Sequence, residues 1–184
     1  MIIVTGASRG LGKAITERLS EKGEKVIGLA RSVSELNTEA IECDVSDYDS
    51  VKNASRKVKQ LKEPLKVFIN AAGVASMNMA VTTNESTVQK LIQTNLVGTI
   101  YCSQLFAPIM LRQKQGSFIN FSTIAVELAL KGESVYAASK AGVESFSRTF
   151  AREMADFNVR VNCIAPGPIL SLIHISEPTR QWQI

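Results

Sequence analysis

Cysteine is scarce in this chain: Cys43, Cys102 and Cys163 are the three present, far apart and without paired spacing. That argues against a disulfide framework and a thiolate metal site, and leaves buried thiols in a reducing cytosol as the expectation. Long apolar runs are missing as well. None approaches the roughly 18 to 20 residues that span a bilayer, and no basic stretch precedes Ile2-Ile3-Val4, so neither a membrane segment nor a secretory leader is expected. The chain is expected to be cytoplasmic. Charge of one sign is nowhere gathered into a block. Lys and Arg number 21 against 17 Asp and Glu, a net +4 spread along the chain, so a nucleic-acid partner has no support. A small basic surplus is what a pocket for a phosphate-bearing cofactor leaves behind. Repeats and low-complexity linkers are also lacking.

What is present is an ordinary globular composition, 45% hydrophobic and 21% charged over 184 residues, enough for one domain. A β-branched run, Ile2 to Thr5, stops at Gly6. Apolar Leu11, Ala14, Ile15 and Leu19 then fall at helical spacing within Arg9 to Lys22. The alternation repeats: strands over 25–30, 40–45, 65–70, 117–122 and 159–165, and helices over 46–61, 85–113 and 134–156. Val67-Phe68-Ile69 and Phe118-Ile119-Asn120-Phe121 are apolar on both faces, the mark of parallel strands covered by helices. The order predicts a doubly wound α/β fold of the Rossmann type, strand order 3-2-1-4-5-6, binding ligands beyond the carboxyl ends of its strands.

Residues that carry chemistry gather at those ends. Thr5-Gly6-Ala7-Ser8-Arg9-Gly10-Leu11-Gly12 joins the first strand to the first helix. Glycines there permit a tight turn and let a pyrophosphate approach the helix N-terminus; alone, they are equally turn and packing glycines. At the end of the second strand stands Arg31 where an acidic residue would take the ribose hydroxyls of NAD. With Arg9 and Ser32 it offers guanidiniums and a hydroxyl to the 2′-phosphate of NADP. Tyr136 and Lys140, four residues apart, share a helical face, where a cation favours the phenolate; taken alone, the spacing fits an exposed helical pair better. Ser122 and Thr123 end a strand, as substrate-carbonyl donors or turn caps. Asn70-Ala71-Ala72-Gly73 closes the fourth strand, facing the cofactor side. Asn95 in mid-helix is a hydrogen-bonding node or part of a proton relay. Asp44, followed by Val45, accepts from an adenine amino group, caps the next helix, or does both.

Together, in this order and at these separations, the features resemble the short-chain dehydrogenase/reductase family, with 3-oxoacyl-carrier-protein reductases in its broad class. The resemblance runs from Ile2 to about Ile169. It places the family's glycine motif on Thr5 to Gly12, its strand-end Asp on Asp44, its Asn-Asn-Ala-Gly on Asn70 to Gly73 with Ala71 replacing the second Asn, and its helix Asn on Asn95. Its Tyr-x-x-x-Lys falls on Tyr136 and Lys140, and its Pro-Gly turn on Pro166-Gly167. The family's Ser, thirteen positions before the Tyr, is here Thr123, with Ser122 beside it as the alternative. The resemblance implies an NADP(H)-dependent reductase in which Asn95, Ser122 or Thr123, Tyr136 and Lys140 are catalytic and no metal takes part. Thr123 would hold the carbonyl oxygen of a ketone or 3-oxoacyl thioester and Tyr136 would protonate it. Lys140 would lower the tyrosine pKa and bond the nicotinamide ribose, and Asn95 would anchor a water chain. The cofactor would be held by Gly6, Ser8, Arg9, Gly10, Leu11, Gly12, Arg31, Ser32, Asp44, Val45, Asn70, Ala71, Ala72, Gly73, Tyr136, Lys140, Pro166, Gly167 and Ile169. A homodimer or homotetramer built on the helices around Asn95 and Tyr136 is implied for the parent protein. A non-catalytic NADP-binding fragment or sensor is the alternative from a different class.

After Ile169 the pattern departs from the family. Leu170 to Arg180 resembles a translated transposon-end adapter from sequencing-library preparation, and Gln181 to Ile184 reads as barcode. The expectation is a domain over 1–169, lacking the family's final strand, and a non-native tail over 170–184. The sole His and Trp, His174 and Trp182, fall in that tail, so His174 is no candidate ligand or base.

Overall fold

The computed structural model describes residues 1–34 and 36–167; Ile169 and the 170–184 tail lie outside the described residues. Six parallel strands form one sheet in the order β3-β2-β1-β4-β5-β6, as the sequence predicts. They are β1 (Ile2–Thr5), β2 (Val26–Ala30), β3 (Glu39–Glu42), β4 (Val67–Asn70), β5 (Gly116–Phe121) and β6 (Val159–Ile164). The helices are α1 (Gly10–Glu21), α2 (Tyr48–Gln60), α3 (Glu85–Leu91), α4 (Gly98–Gln113), α5 (Ala125–Leu128) and α6 (Ser134–Ala155).

Strand alternation sends side chains to two cores. Ile3, Ile27, Leu29, Phe68 and Phe118 face one side, packed by Val51 and Val58 of α2, Phe106 and Met110 of α4, and Phe150 of α6. Ring centroids separate Phe68 from Phe106 by 4.5 Å and Phe118 from Phe150 by 5.4 Å, within the range of favourable aromatic pairing. Ile2, Val4, Val26 and Ile69 face the other side, against Ile15 and Leu19 of α1.

Three elements differ from the expectation. β3 ends at Glu42 because its pairing with β2 ends there, at Ala30↔Glu42; Asp44 then turns the chain by accepting the Ser46 amide at 2.9 Å and its hydroxyl at 2.6 Å. The long helix is not continuous. Between α3 and α4 it widens into a π segment over Ile92–Val97, centred on the fully buried Asn95. The sequence reading also passed over two short elements, a 3-10 turn over Ala80–Thr82 and α5.

Candidate active site

The glycine turn is built by close approach. A Cβ on Gly12 would lie 2.4 Å from the Gly6 carbonyl oxygen, so no side chain fits where α1 enters the sheet edge. Gly10 has φ +54° and no atom within 4 Å of where its Cβ would be, leaving open space at the first turn of α1. Arg9 is the N-cap and makes no side-chain cap bond. The first-turn amides Gly10, Leu11 and Gly12 therefore face outward without an intrahelical acceptor. Ser8 is half-buried in the turn. Thr5 Oγ1 accepts the Ala72 amide at 2.9 Å and ties the ends of β1 and β4 together, a link the sequence reading missed.

Leu11, Ala71, Gly73, Phe121, Ser122, Thr123, Tyr136, Lys140, Pro166 and Gly167 line one pocket of about 270 Å³ at the carboxyl ends of β4 and β5. Elements far apart in sequence meet here. Lys140 is 7% exposed and its ammonium donates to the Phe121 carbonyl at 2.8 Å. Burial lowers its pKa to about 8. Tyr136 moves the other way: burial raises its pKa first, the Thr123 hydroxyl opposes this by hydrogen bonding, and Glu133 adds to it. This corrects the expectation that Lys140 depresses the phenol. In this structure Lys140 is not among the groups that shift the phenol; its ammonium is engaged by Phe121 instead.

Thr123 and Ser122 part company. Thr123 lines the same pocket as Tyr136 and accepts the Ala125 amide at 3.3 Å. Ser122, 4% exposed, donates its hydroxyl to the Glu144 carboxylate. Of the two hydroxyls, Ser122's is taken up by a carboxylate and, among the described residues, Thr123's is not.

Asn95 lies behind the pocket wall. Its Oδ1 accepts the Val74 amide at 2.8 Å, and its Nδ2 donates to the Val74 carbonyl at 2.9 Å and to Ser139 Oγ at 3.0 Å. Thr99 Oγ1 donates to the Asn95 carbonyl at 2.8 Å. The side chain thus serves as the node the sequence allowed for. A Cβ on Gly73 would stand 3.4 Å from Asn95 Oδ1 and 3.5 Å from Lys140 Nζ, ordinary contact distances, so Gly73 lies directly beside both side chains.

Asn70 does not face the pocket. Strand alternation points it into the larger core, where Nδ2 donates to Asn120 Oδ1 at 2.8 Å and to Ser103 Oγ at 3.4 Å. Asn120 in turn donates to Ser147 Oγ at 2.8 Å. The sequence reading passed over Asn120 and Ser147; an amide inside a strand buried on both faces was the signal that could have found them. Val45 is buried against Gly98, whose Cβ would come within 3.0 Å of it. Arg31 and Ser32 are exposed at the end of β2, and among the described residues neither Arg9 nor Arg31 has a carboxylate partner. Asp44 is half-buried just past β3. Among the described residues no group of three His, Cys, Asp or Glu could hold a metal, and no helix is long and apolar enough to cross a membrane.

A family model described as short chain dehydrogenase matches residues 1–182. The 3-oxoacyl-(acyl-carrier-protein) reductase FabG of Staphylococcus aureus (strain Mu50) is 36% identical, with 92% of this chain matched to 74% of that protein. The reductase MabA of Mycobacterium bovis is 35% identical, with 91% of this chain matched to 68% of it. Among solved structures, a short-chain dehydrogenase from Streptomyces avermitilis superposes with a TM-score of 0.88 at 30% identity, covering 94% of this chain and 66% of that one. A metagenomic short-chain oxidoreductase in complex with NADP superposes at 0.85 and 31% identity, covering 92% and 81%.

Proposed function

The chain belongs to the short chain dehydrogenase family, an oxidoreductase family, and from that premise we propose that it reduces a ketone or 3-oxoacyl thioester to the alcohol with NADP(H). The observation that carries the reading is the convergence of Thr123, Tyr136, Lys140 and Gly73 on one pocket beside the uncapped start of α1. A dinucleotide fits that arrangement, since the first-turn amides of α1 lack acceptors and the space at Gly10 is open. When bound, the nicotinamide supplies the hydride.

The chain's own residues do the rest. Gly6, Ser8, Gly10, Leu11 and Gly12 receive the pyrophosphate, Arg31 with Ser32 and Arg9 the 2′-phosphate, and Asp44 the adenine amino group. Val45, Asn70, Ala71 and Ala72 shape the walls, directly or from behind, and Pro166 and Gly167 close the far side. Lys140 leaves Phe121 for the ribose hydroxyls. Thr123 donates to the substrate carbonyl oxygen, which orients it against Tyr136. The phenol then protonates that oxygen as negative charge develops on it. Asn95 holds the Val74 backbone, and so the wall that Gly73 and Val74 provide. Like the relatives named above, the chain is read as acting on a small-molecule or carrier-borne carbonyl, not on nucleic acid or membrane.

Tyr136→Phe tests the reading: NADPH oxidation by a panel of ketones and 3-oxoacyl thioesters is expected to cease while NADPH binding stays within about twofold. Wild-type turnover in this variant refutes the assignment. Binding without turnover in the unaltered chain favours the sensor or fragment instead.

A further inference from the structure

One stripe of α6 touches consecutive residues at the end of β5. Tyr136 lines one pocket with Thr123, Lys140 Nζ reaches the Phe121 carbonyl, Glu144 accepts the Ser122 hydroxyl, and Ser147 Oγ accepts from Asn120. Steps of four, four and three residues keep all of these on one helical face. The reaction proposed above uses Tyr136 and Lys140, and the fourth contact belongs to the core. The Glu144 contact has no part in either.

Ser122 is 4% exposed, and its hydroxyl has one other partner, the Lys140 carbonyl at 3.5 Å, a weak contact. A carboxylate is the stronger acceptor, so Glu144 fixes where this hydroxyl points. The backbone on either side is pinned as well: the Ser122 amide donates to the Ile164 carbonyl at 2.8 Å and the Ile124 amide to the Pro166 carbonyl at 3.0 Å. Thr123 hangs between these two pins.

Resting on the reading of Tyr136 and Thr123 given above, we infer that Glu144 is a positioning residue for catalysis: by holding the Ser122 hydroxyl against α6 it sets the β5 terminus so that the Thr123 hydroxyl faces Tyr136. Glu144 touches neither cofactor nor substrate in this scheme and acts through its neighbour.

The test reads the Tyr136 titration directly, in the full chain, by NMR of ¹³Cζ-labelled tyrosine, with Tyr136→Phe identifying its signal among the three tyrosines. Glu144→Ala is expected to move the titration upward as the Thr123 contact is lost. Glu144→Gln, which keeps an acceptor oxygen, is expected to leave it in place. Ser122→Ala removes one oxygen without opening a large cavity and is expected to reproduce the upward shift even where Glu144→Ala does not fold. In turnover assays kcat falls about five- to tenfold in Glu144→Ala and Ser122→Ala, the scale of one hydrogen bond, with dinucleotide KM unchanged, and Glu144→Gln restores it. A Tyr136 titration unmoved by Ser122→Ala overturns the inference. If Tyr136→Phe retains turnover, the proton-donor reading fails instead, and the titration still decides the role of Glu144.

Discussion

Lys140 carries a cost to stability whose size and pH dependence follow from its surroundings. Burial lowers its pKa from 10.5 to about 8, so at neutral pH the native state holds an ammonium in a place that disfavours it. A drop of that size corresponds to ~3 kcal/mol at 25 °C, an upper figure since Met in its place also changes the packing. Lys140→Met removes the penalty. Below pH 8 both folded and unfolded states keep the proton and the wild-type chain bears the whole cost. Between pH 8 and 10.5 the unfolded chain binds more protons than the native one, so wild-type stability gains with rising pH on this account. Above 10.5 the lysine is neutral in both states and the cost is gone. The Met variant is therefore expected to be more stable by up to ~3 kcal/mol at pH 7, with the advantage shrinking to nothing by about pH 10.5. Urea unfolding of both chains at closely spaced pH values, followed by far-UV circular dichroism, gives the difference. Cys43, raised to about 11 by burial, also titrates in this range but is common to both chains and cancels. A stability difference that stays constant from pH 7 to 10.5 refutes the reasoning. The same substitution is expected to abolish turnover, so the group that costs stability is one the reaction needs.

Asn95→Ala strips the Val74 amide and carbonyl and Ser139 of their partner, and is expected to cost ~3 kcal/mol in denaturant unfolding; a loss under ~1 kcal/mol would show that water replaces the amide at no cost. Arg31→Asp is expected to weaken NADPH binding ten- to a hundredfold, about one charge-assisted hydrogen bond, and to leave NADH affinity equal or better by isothermal titration. Equal losses for both dinucleotides would remove Arg31 from the 2′-phosphate site.

Much of the fold was legible because local chemistry agreed with the global arrangement. Gly6 to Gly12 marks the β1–α1 turn through positions where only glycine fits, and the apolar runs at Phe68 and Phe118 mark strands covered on both faces. The tyrosine–lysine pair was legible only together with the other motifs, since the helical spacing alone fits an exposed pair better. What escaped depends on partners distant in sequence. The π segment exists where Asn95 reaches Val74 and Ser139, 21 and 44 residues away, and no periodicity announces that. The choice between Ser122 and Thr123 turned on Glu144, one helix later. The direction of the Tyr136 shift turned on burial, which a spacing of four does not show.

Asn70 and Asn120 stand opposite each other in the β4–β5 pairing, and their amides bond at 2.8 Å inside an apolar core. Strands of this composition have little else to fix their alignment: Phe68 against Phe118 or against Ile119 would bury similar area. Sliding β5 by one residue would turn Asn120 to the opposite face, away from Asn70 and Ser147, and leave Asn70 only its 3.4 Å contact with Ser103, at about 1 to 3 kcal/mol for an amide left unpaired. The pair therefore acts as an alignment key. Gly73 and Thr123 each follow their strand by three residues or fewer, so the same key sets how far the glycine wall stands from the hydroxyl across the pocket.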